Sequence, residues 1–379
     1  MLALRLVRGT HPVVLLRRLL VAAASAGVGF LLLCTLGYAL GHPADSAAST
    51  LRLLWCVIPL AATVYFAVAV ARTDPSTRPR PGLSAIGLGP ARLTAVAAAS
   101  TAVACTLGSA VALLFFLHLR GDITGLPFDG AAADLLAAGQ PLPVAAALTL
   151  LAILPVTAST AAALALRPRK EVVTEGAPKT APSGLPWGVA LLAVGLAVET
   201  YAGQGDGDRA FPLPGRFEGS PGGVLAGWII TAVGLAMAGP GITHWCGRLL
   251  QSVRPGAVRL LAGRVLMDES RRIGRPLGVV CAVGSGGLAA ATLYDAGTGD
   301  FGLLTGLGAG LVIACTTATL LTAALESKQC RAHTTAALLR LGAPPTVLRT
   351  AALLRAGVLL AVFLPLTWLI AELAAVPLR

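Results

Sequence analysis

Residues able to carry out enzyme chemistry are few and scattered along this chain of 379 residues. Nucleotide hydrolysis by a P-loop needs Gly-Lys-Ser/Thr to cradle the phosphates, and the sequence contains no Gly-Lys dipeptide. The His-Glu-x-x-His motif of zinc proteases is also absent from the sequence. His244 and Cys246 are one residue apart, but such a pair does not make a metal site by itself, and we interpret it as interfacial. We therefore expect no enzymatic activity, no cofactor and no metal.

The cysteines argue against a structural zinc site and against a disulfide framework. There are seven, dispersed along the chain without any Cys-x-x-Cys pair. All of them fall in apolar segments or in segments that we assign to the cytoplasm. They are Cys34, Cys56, Cys105, Cys246, Cys281, Cys315 and Cys330.

Four ionisable residues lie within apolar segments long enough to cross a membrane, where a charge is costly and often functional. Glu199, Asp295 and Glu372 lie late in their segments, near the ends that we place outside. We interpret them as interfacial carboxylates that water reaches. Arg355 lies one to two turns from the cytoplasmic end of its segment. Its side chain either snorkels back to the surface or pairs with an acidic group or a lipid headgroup.

The composition of the whole chain is that of a membrane protein. Hydrophobic residues make up 56% of it and charged residues 12%, against about 25% charged in soluble domains. The mean hydropathy is +0.80. Apolar stretches of about 20 residues recur throughout, and backbone groups in lipid must be satisfied internally, so these stretches are helices. Nine are predicted, at 19–40, 51–71, 94–117, 143–166, 187–204, 223–244, 277–296, 303–325 and 350–376.

The positive charge follows the predicted topology. With the N-terminus in the cytoplasm, the cytoplasmic segments carry 23 Lys and Arg residues and the external segments five, as the positive-inside rule requires. The net charge of +12 is therefore explained by orientation in the bilayer, and no nucleic-acid partner is expected. The cytoplasmic segments are 1–18, 72–93, 167–186, 245–276 and 326–349.

The sequence contains a diverged internal duplication. Basic residues, a Leu-Gly pair and the apolar segments themselves all recur at an offset of 253 or 254 residues. Structural repeats are a common build of membrane transporters. The corresponding residues are Arg5 to Gly9 with Arg259 to Gly263, Arg17-Arg18 with Arg271-Arg272, Arg78 with Arg331, and Leu88-Gly89 with Leu341-Gly342.

The duplication predicts the domain organisation. We expect an all-α polytopic membrane protein with about nine transmembrane helices, in two diverged repeats separated by a helical hairpin. The counterpart of segment 143–166 would fall at about 397–420, beyond Arg379, so the second repeat has three spans against four in the first. The predicted parts are a first repeat at 1–166, a Pro- and Lys-rich cytoplasmic linker at 167–186, the hairpin at 187–245 and the second repeat at 246–379.

The cytoplasmic segment 326–349 has the pattern of a short helix, a stiff elbow and a membrane helix. Between Thr335 and Leu341 a helix would place Ala337, Leu338 and Leu341 on one apolar stripe. Gly342 can take the left-handed conformation that ends a helix. Pro344 and Pro345 then force the chain out of the helix before the next one begins. Such a unit either transmits a push from a cytoplasmic partner or is an ordinary interfacial anchor.

The segment RAHTTAALLRLGAPPTVLRTAALLRAG (331–357) resembles the coupling region of FtsX-like permeases, the membrane subunits of the ABC transporters that include FtsX and MacB. RPRPGLSAIGLGPARL (78–93) resembles a weaker second copy, and RLLAGRVLMDESRRIGRPLG (259–278) is similar to the amphipathic lead-in of these permeases. The external loops 41–50 and 297–302 are short, whereas better-known members often carry a large external domain there. A role that depends on such a domain is therefore not expected.

The resemblance implies a permease subunit without its own ATPase, in the bacterial plasma membrane with its N-terminus in the cytoplasm. Its implied partners are a separate cytoplasmic ABC ATPase, the lipid bilayer, and a second permease in a homodimer or heterodimer. Its implied substrate is amphipathic: a peptide, a lipid or a lipoprotein. The residues implied in ATPase coupling are Arg78, Leu88, Gly89, Arg92, Arg331, Leu338, Leu341, Gly342 and Arg349.

Glycines at helical spacing predict close helix packing. Gly302, Gly306 and Gly310 form one stripe, and Gly223 and Gly227 form a shorter one. Small residues at this spacing let helices approach closely, either within the subunit or at a dimer interface.

Two other functions compete with the permease interpretation. An ion-gradient-driven secondary transporter would have paired carboxylates near the bilayer midplane and broken helices. A membrane sensor or structural partner without transport activity would suit the short loops.

Overall fold

The protein is all-α, as a computed structural model shows for residues 12–74, 90–123, 130–167, 182–203, 210–211, 220–252, 256–295 and 302–375. Within these ranges, nine helical segments are long and apolar enough to cross a membrane, which confirms the expected class and number. The helices are α1 (Pro12–Gly41), α2 (Ser46–Trp55), α3 (Val57–Thr73), α4 (Pro90–Arg120), α5 (Val144–Ala165), α6 (Gly184–Gly203), α7 (Gly222–Gln251), α8 (Ala257–Asp295), α9 (Leu303–Cys330), α10 (Ala332–Arg340) and α11 (Pro345–Ala375).

Helices α2 and α3 form one candidate span, Ser46–Thr73, interrupted only at Cys56. Pro59 has no backbone N–H, so the carbonyl of Trp55 loses the partner that a continuous helix would give it. The chain nevertheless stays helical on both sides, because Leu60 donates its N–H to the carbonyl of Cys56.

The chain divides into two compact units. Unit 1 comprises Met1–Val172 and Leu303–Cys315, and unit 2 comprises Val173–Gly302 and Thr316–Arg379. Helix α9 contributes its first half to unit 1 and its second half to unit 2. The division predicted from the duplication stays a prediction, because compactness groups helices by contact and not by ancestry.

In unit 1, α1 packs along α4, and α4 packs on α5. Leu33, Phe116 and Leu151 meet in the core that these three helices share. The segment 130–142 closes this core, since its Leu136 is buried in the same cluster. The guanidinium of Arg120 donates to carbonyl oxygens in that segment and so fixes it against the end of α4.

In unit 2, three helices pack in sequence order, α6 on α7 and α7 on α8, and α11 packs on α8. Gly188 of α6 lies against Ala238 of α7, and further along α6 Gly195 lies against Thr231. Residue numbers rise on one helix as they fall on the other, so α6 and α7 are antiparallel neighbours. The connection between them includes a two-residue antiparallel ladder, Ala210–Phe211 with Ser220–Pro221.

Helix α8 is longer than a membrane span requires. Its 39 residues extend about 58 Å, against about 30 Å for the hydrocarbon core. The basic lead-in predicted at 259–278 and the span predicted at 277–296 are therefore one continuous helix, although Pro276 lies inside it. Arg264, Arg271 and Arg275 lie on its exposed side, while its apolar C-terminal half contains the membrane segment.

Candidate functional site

The candidate site is the coupling elbow, which we define as residues 331–345 between the end of α9 and the start of α11. Helix α10 occupies most of it and ends at Arg340. Gly342 follows with φ +88°, in the left-handed region that favours glycine. The N–H of Ala343 donates to the carbonyl of Leu338, and the N–H of Gly342 donates to the carbonyl of Leu339. This pair of bonds is the Schellman motif, which satisfies the last carbonyls of a helix.

The chain leaves the elbow at the second of two prolines. Helix α11 begins at Pro345, where a missing N–H costs nothing because the first turn of a helix leaves that group unpaired. The short helix, the left-handed glycine and the restart at proline confirm the local structure predicted for this segment.

The elbow presents an apolar tip to its surroundings. Leu341 is 84% exposed, and Leu339 is exposed beside it. Arg340 and Arg349 are also exposed, whereas Leu338 is half-buried. The elbow thus offers leucine and arginine side chains together, a combination suited to a protein partner or to the membrane interface.

One buried carboxylate, that of Glu269 on α8, contacts the start of the elbow and the helix that follows it. Its Oε1 lies 2.6 Å from Nε of Arg331, the residue between α9 and α10. Its Oε2 lies 3.6 Å from Nη1 of Arg355, which is in α11 beyond the elbow. Glu269 is only 7% exposed, so its charge is compensated inside the protein rather than by water. Of the two outcomes considered for Arg355, the structure shows pairing with an acid.

Arg331 is fixed by a second set of contacts within its own helix. Its Nε–H donates to the carbonyl oxygen of Ser327 at 3.2 Å, and its Nη2 donates to the hydroxyl of Ser327 at 3.4 Å. Because the Nε–H bond points to that carbonyl, the contact with Glu269 is an ion pair and not a hydrogen bond. The guanidinium is thereby held in one place at the start of α10.

A neighbouring contact joins the same two helices. Nη1 of Arg272 on α8 donates to Sγ of Cys330 at 2.9 Å. Cys330 is exposed, while the other six cysteines are buried, and all seven are free. The end of α9 is therefore held to α8 at two consecutive residues, Cys330 and Arg331.

Sequence reasoning missed Glu269, although the sequence contains a signal for it. Ala262, Leu266 and Glu269 follow one another at spacings of four and three, and all three are buried on the same face of α8. An acidic residue on the apolar stripe of an amphipathic helix needs a partner, and a helical projection would have revealed it.

Unit 1 contains another ion pair at a helix end. Nη2 of Arg18 on α1 lies 2.6 Å from Oδ2 of Asp74, directly after α3. This pair joins the end of α3 to α1. In unit 2 the contact of Glu269 with Arg331 joins the end of α9 to α8. The two pairs differ in the position of the charges, because α1 carries the arginine in unit 1 whereas α8 carries the glutamate in unit 2.

The weaker coupling copy is described only in part. Arg78, Leu88 and Gly89 lie outside the described residues. Arg92 is in the first turn of α4, where it is exposed. Their role in coupling remains a prediction.

The predicted glycine stripe is not where the described helices approach most closely. A Cβ built at Gly306 or Gly310 meets no atom within 4 Å, and Gly302 caps the N-terminus of α9. By contrast, a Cβ on Gly227 would lie 2.5 Å from Cγ of Glu199, so the shorter pair marks a tight contact between α7 and α6. Packing through Gly302, Gly306 and Gly310 stays a prediction.

The interpretation of Glu199 as a carboxylate reached by water is wrong. Glu199 is 0% exposed, because α7 covers it at Gly227. Its Oε1 accepts a hydrogen bond of 3.0 Å from the hydroxyl of Thr231, and its Oε2 has no hydrogen-bond partner in the described part of the chain. Periodicity placed Glu199 near a helix end but could not show how closely the next helix approaches.

Comparison with known proteins gives no significant match to a family model, to a curated protein or to a solved structure.

Proposed function

We propose that the chain is the membrane-spanning permease subunit of an ABC transporter. It would couple ATP hydrolysis by a separate cytoplasmic ATPase to the export or membrane extraction of an amphipathic substrate, such as a peptide, a lipid or a lipoprotein. The observation that carries the proposal is the elbow, which exposes Leu341 beside the left-handed Gly342 and is tied to Glu269 at its start and through Arg355 of the following helix. The substrate class rests on the resemblance to FtsX-like permeases alone.

Packing within each unit supports the duplication on which the resemblance draws. The offset of 253 or 254 residues relates α1 to α8, α3 to α9 and α4 to α11. In unit 1 α1 packs along α4, and in unit 2 α8 packs along α11, so this pair of corresponding helices makes the same contact in both units.

A contact inside unit 1 points the same way. The hydroxyl of Thr63 on α3 lies 3.5 Å from Sγ of Cys315 on α9, and both side chains are buried. These residues are 252 positions apart, within two residues of the offset between the copies. Duplicated elements that pack against each other often meet at equivalent positions, as in a two-fold symmetric interface.

The proposed mechanism follows from the stiffness of the elbow. Closure of an ATPase dimer on ATP binding would push on α10 through Leu341. The turn at Gly342 and the two prolines leave little freedom for bending without moving α11, so the push would become rigid-body motion of the membrane helices. The segments 72–93 and 245–276 would add to the ATPase contact, and a second permease would complete a homodimer or heterodimer in the bacterial plasma membrane.

The test replaces the tip of the elbow. We expect Leu341→Asp to reduce ATPase activity of the purified complex about tenfold or more, since a charge at the centre of an apolar contact costs at least about 2 kcal/mol. The matched control is Leu135→Asp, because Leu135 is 80% exposed on the side that we place outside. An unchanged assembly with the ATPase and unchanged activity in Leu341→Asp contradicts the proposal.

An ion-gradient-driven transporter is the second candidate, favoured by the complete burial of the Glu199 carboxylate in a membrane-spanning helix. Proton-coupled carriers bind their proton at such buried carboxylates. The Glu199→Gln variant separates the two functions, because a carrier loses gradient-driven transport while an ATP-driven permease does not.

A further inference from the structure

We infer that Glu269 is the positioning residue of the coupling elbow, through which a push on α10 reaches α8 and α11 together. The inference rests on the proposed function for its direction, and it names a residue that the resemblance does not. Its basis is the convergence of Arg331 and Arg355, on either side of the elbow, on a single carboxylate.

The elbow has little else to hold it. Among the described residues of α10 none is buried, and the tip at Leu341 is almost fully exposed. Packing therefore contributes little to the position of α10. Its fixed point is Arg331, at its start.

The two arginines are distant in sequence and adjacent in space. Arg331 ends α9 and Arg355 lies in the third turn of α11, with the whole elbow between them. A single carboxylate that contacts both guanidiniums closes this segment into a loop anchored on α8. Any displacement of α10 relative to α8 must therefore break or carry the ion pair.

Burial makes this anchor strong. Glu269 is nearly inaccessible, and the side chains of Arg355 and Arg331 are mostly covered. Removing one partner of a buried ion pair is far more disruptive than removing an exposed one, because a charge is left uncompensated. The ion pair of Arg18 with Asp74 in unit 1 gives the end of α3 an equivalent anchor.

The experiment uses Cys330 as a native reporter, because it is the exposed one of the seven cysteines and precedes Arg331. A nitroxide attached there reports the mobility of the elbow's start by electron paramagnetic resonance. The label replaces the contact of Cys330 with Arg272 in every variant alike, so differences between variants report the anchor at Glu269. We expect Glu269→Gln to narrow the lines of the nitroxide spectrum, because the label then moves more freely. The ratio of mobile to immobile label should rise about tenfold. Glu269→Asp, which keeps the charge, should restore most of the immobile component.

Matched controls separate anchoring from general damage. Asp134→Asn removes an exposed carboxylate of unit 1 and should leave the spectrum unchanged. If the Glu269→Gln protein does not fold, the Arg331→Gln variant takes its place. It removes the guanidinium that joins the start of the elbow to Glu269, while Arg355 still compensates the charge of Glu269. The same spectral change is expected from it.

The outcomes distinguish this inference from the proposed function. Unchanged mobility in Glu269→Gln overturns the inference, even if Leu341→Asp abolishes ATPase coupling and the permease function stands. Increased mobility with unchanged ATPase coupling also overturns it, since the anchor would then be only structural. Increased mobility together with an ATPase activity that no longer responds to the permease supports it. If no ATPase associates with the wild-type chain, the proposed function fails, while increased mobility still supports the anchor.

Discussion

The buried carboxylates discussed above are of two kinds, those beside a guanidinium and one that contacts only a hydroxyl. Glu269 and Asp74 each have a guanidinium within an ion-pair distance, so their burial leaves little uncompensated charge. Glu199 has a hydroxyl and no counter-charge in the described residues. An isolated ionised carboxylate costs several kcal/mol in such surroundings, and a neutral side chain of the same shape avoids that cost.

At the scale of single residues we predict that Glu199→Gln folds with a stability within about 1 kcal/mol of the wild type. The glutamine carbonyl can accept the same hydrogen bond from Thr231, and the site gains no charge. Glu199→Lys should fail to give a stable protein, because α7 leaves no room for a longer charged side chain. Thermal unfolding in detergent measures both variants. A Glu199→Gln protein much less stable than the wild type would show that the charge itself is needed.

Single residues were predictable from the sequence only where their role is local. Gly342 could be identified because a left-handed turn before two prolines depends on neighbours in the chain. Glu269 was missed because its partners are 62 and 86 residues away, and burial next to them depends on how three helices pack. For the same reason, the sequence left Arg355 either to snorkel to the surface or to pair with an acidic group or a lipid headgroup.

At the scale of the helices, a regular spacing of glycines does not show where two helices are in contact. The α6, α7 and α8 group approaches closely through glycines that do not form one regular stripe, such as Gly188 against Ala238 and Gly239 against Gly274. The regular stripe on α9 has open space at Gly306 and Gly310. Spacing identifies a face that allows close approach, but the partner that uses it is decided by the packing of other helices.

We predict that Gly188→Ala destabilises the protein by about 1–3 kcal/mol, since its Cβ would lie 2.5 Å from the backbone nitrogen of Ala238. The matched control is Gly306→Ala, where the Cβ meets nothing and helix propensity improves by up to about 1 kcal/mol. Melting temperatures in detergent should fall by several degrees in the first variant only. Equal melting temperatures would contradict the close approach of α6 and α7.

The number and approximate positions of the membrane helices were predictable because they depend on length and polarity alone. All nine predicted apolar segments overlap the candidate spans found in the structure. The continuity of the basic lead-in with the span in α8 was not predictable, because Pro276 lies where a break would be placed and the packing of α7 supports the helix there.

At the scale of the whole molecule, the asymmetry of Lys and Arg predicts that the elbow faces the cytoplasm. Cys330 makes this testable without any new residue, since it is exposed at the elbow's start. We predict that a membrane-impermeant maleimide leaves Cys330 unlabelled in intact spheroplasts and labels it at least about tenfold more after permeabilisation.

The control for this experiment is Leu135→Cys, which places an exposed thiol in segment 130–142, a segment that we predict to be external. It should react in intact spheroplasts. Reaction of Cys330 before permeabilisation would reverse the assigned orientation and remove the elbow from the reach of any cytoplasmic ATPase.

Helix α8 is long enough to act as a lever. Roughly half of the helix would extend past the hydrocarbon core, and Ala262 and Leu266 in that half pack against Cys246 and Leu250 of α7. A tilt of about 10° around a pivot in the membrane would displace the N-terminal end of α8, together with α7, by about 5 Å. Glu269 lies seven residues, or about 10 Å, from Pro276 at the base of this arm, so a small displacement of the elbow would become a larger displacement at the N-terminal end of α8.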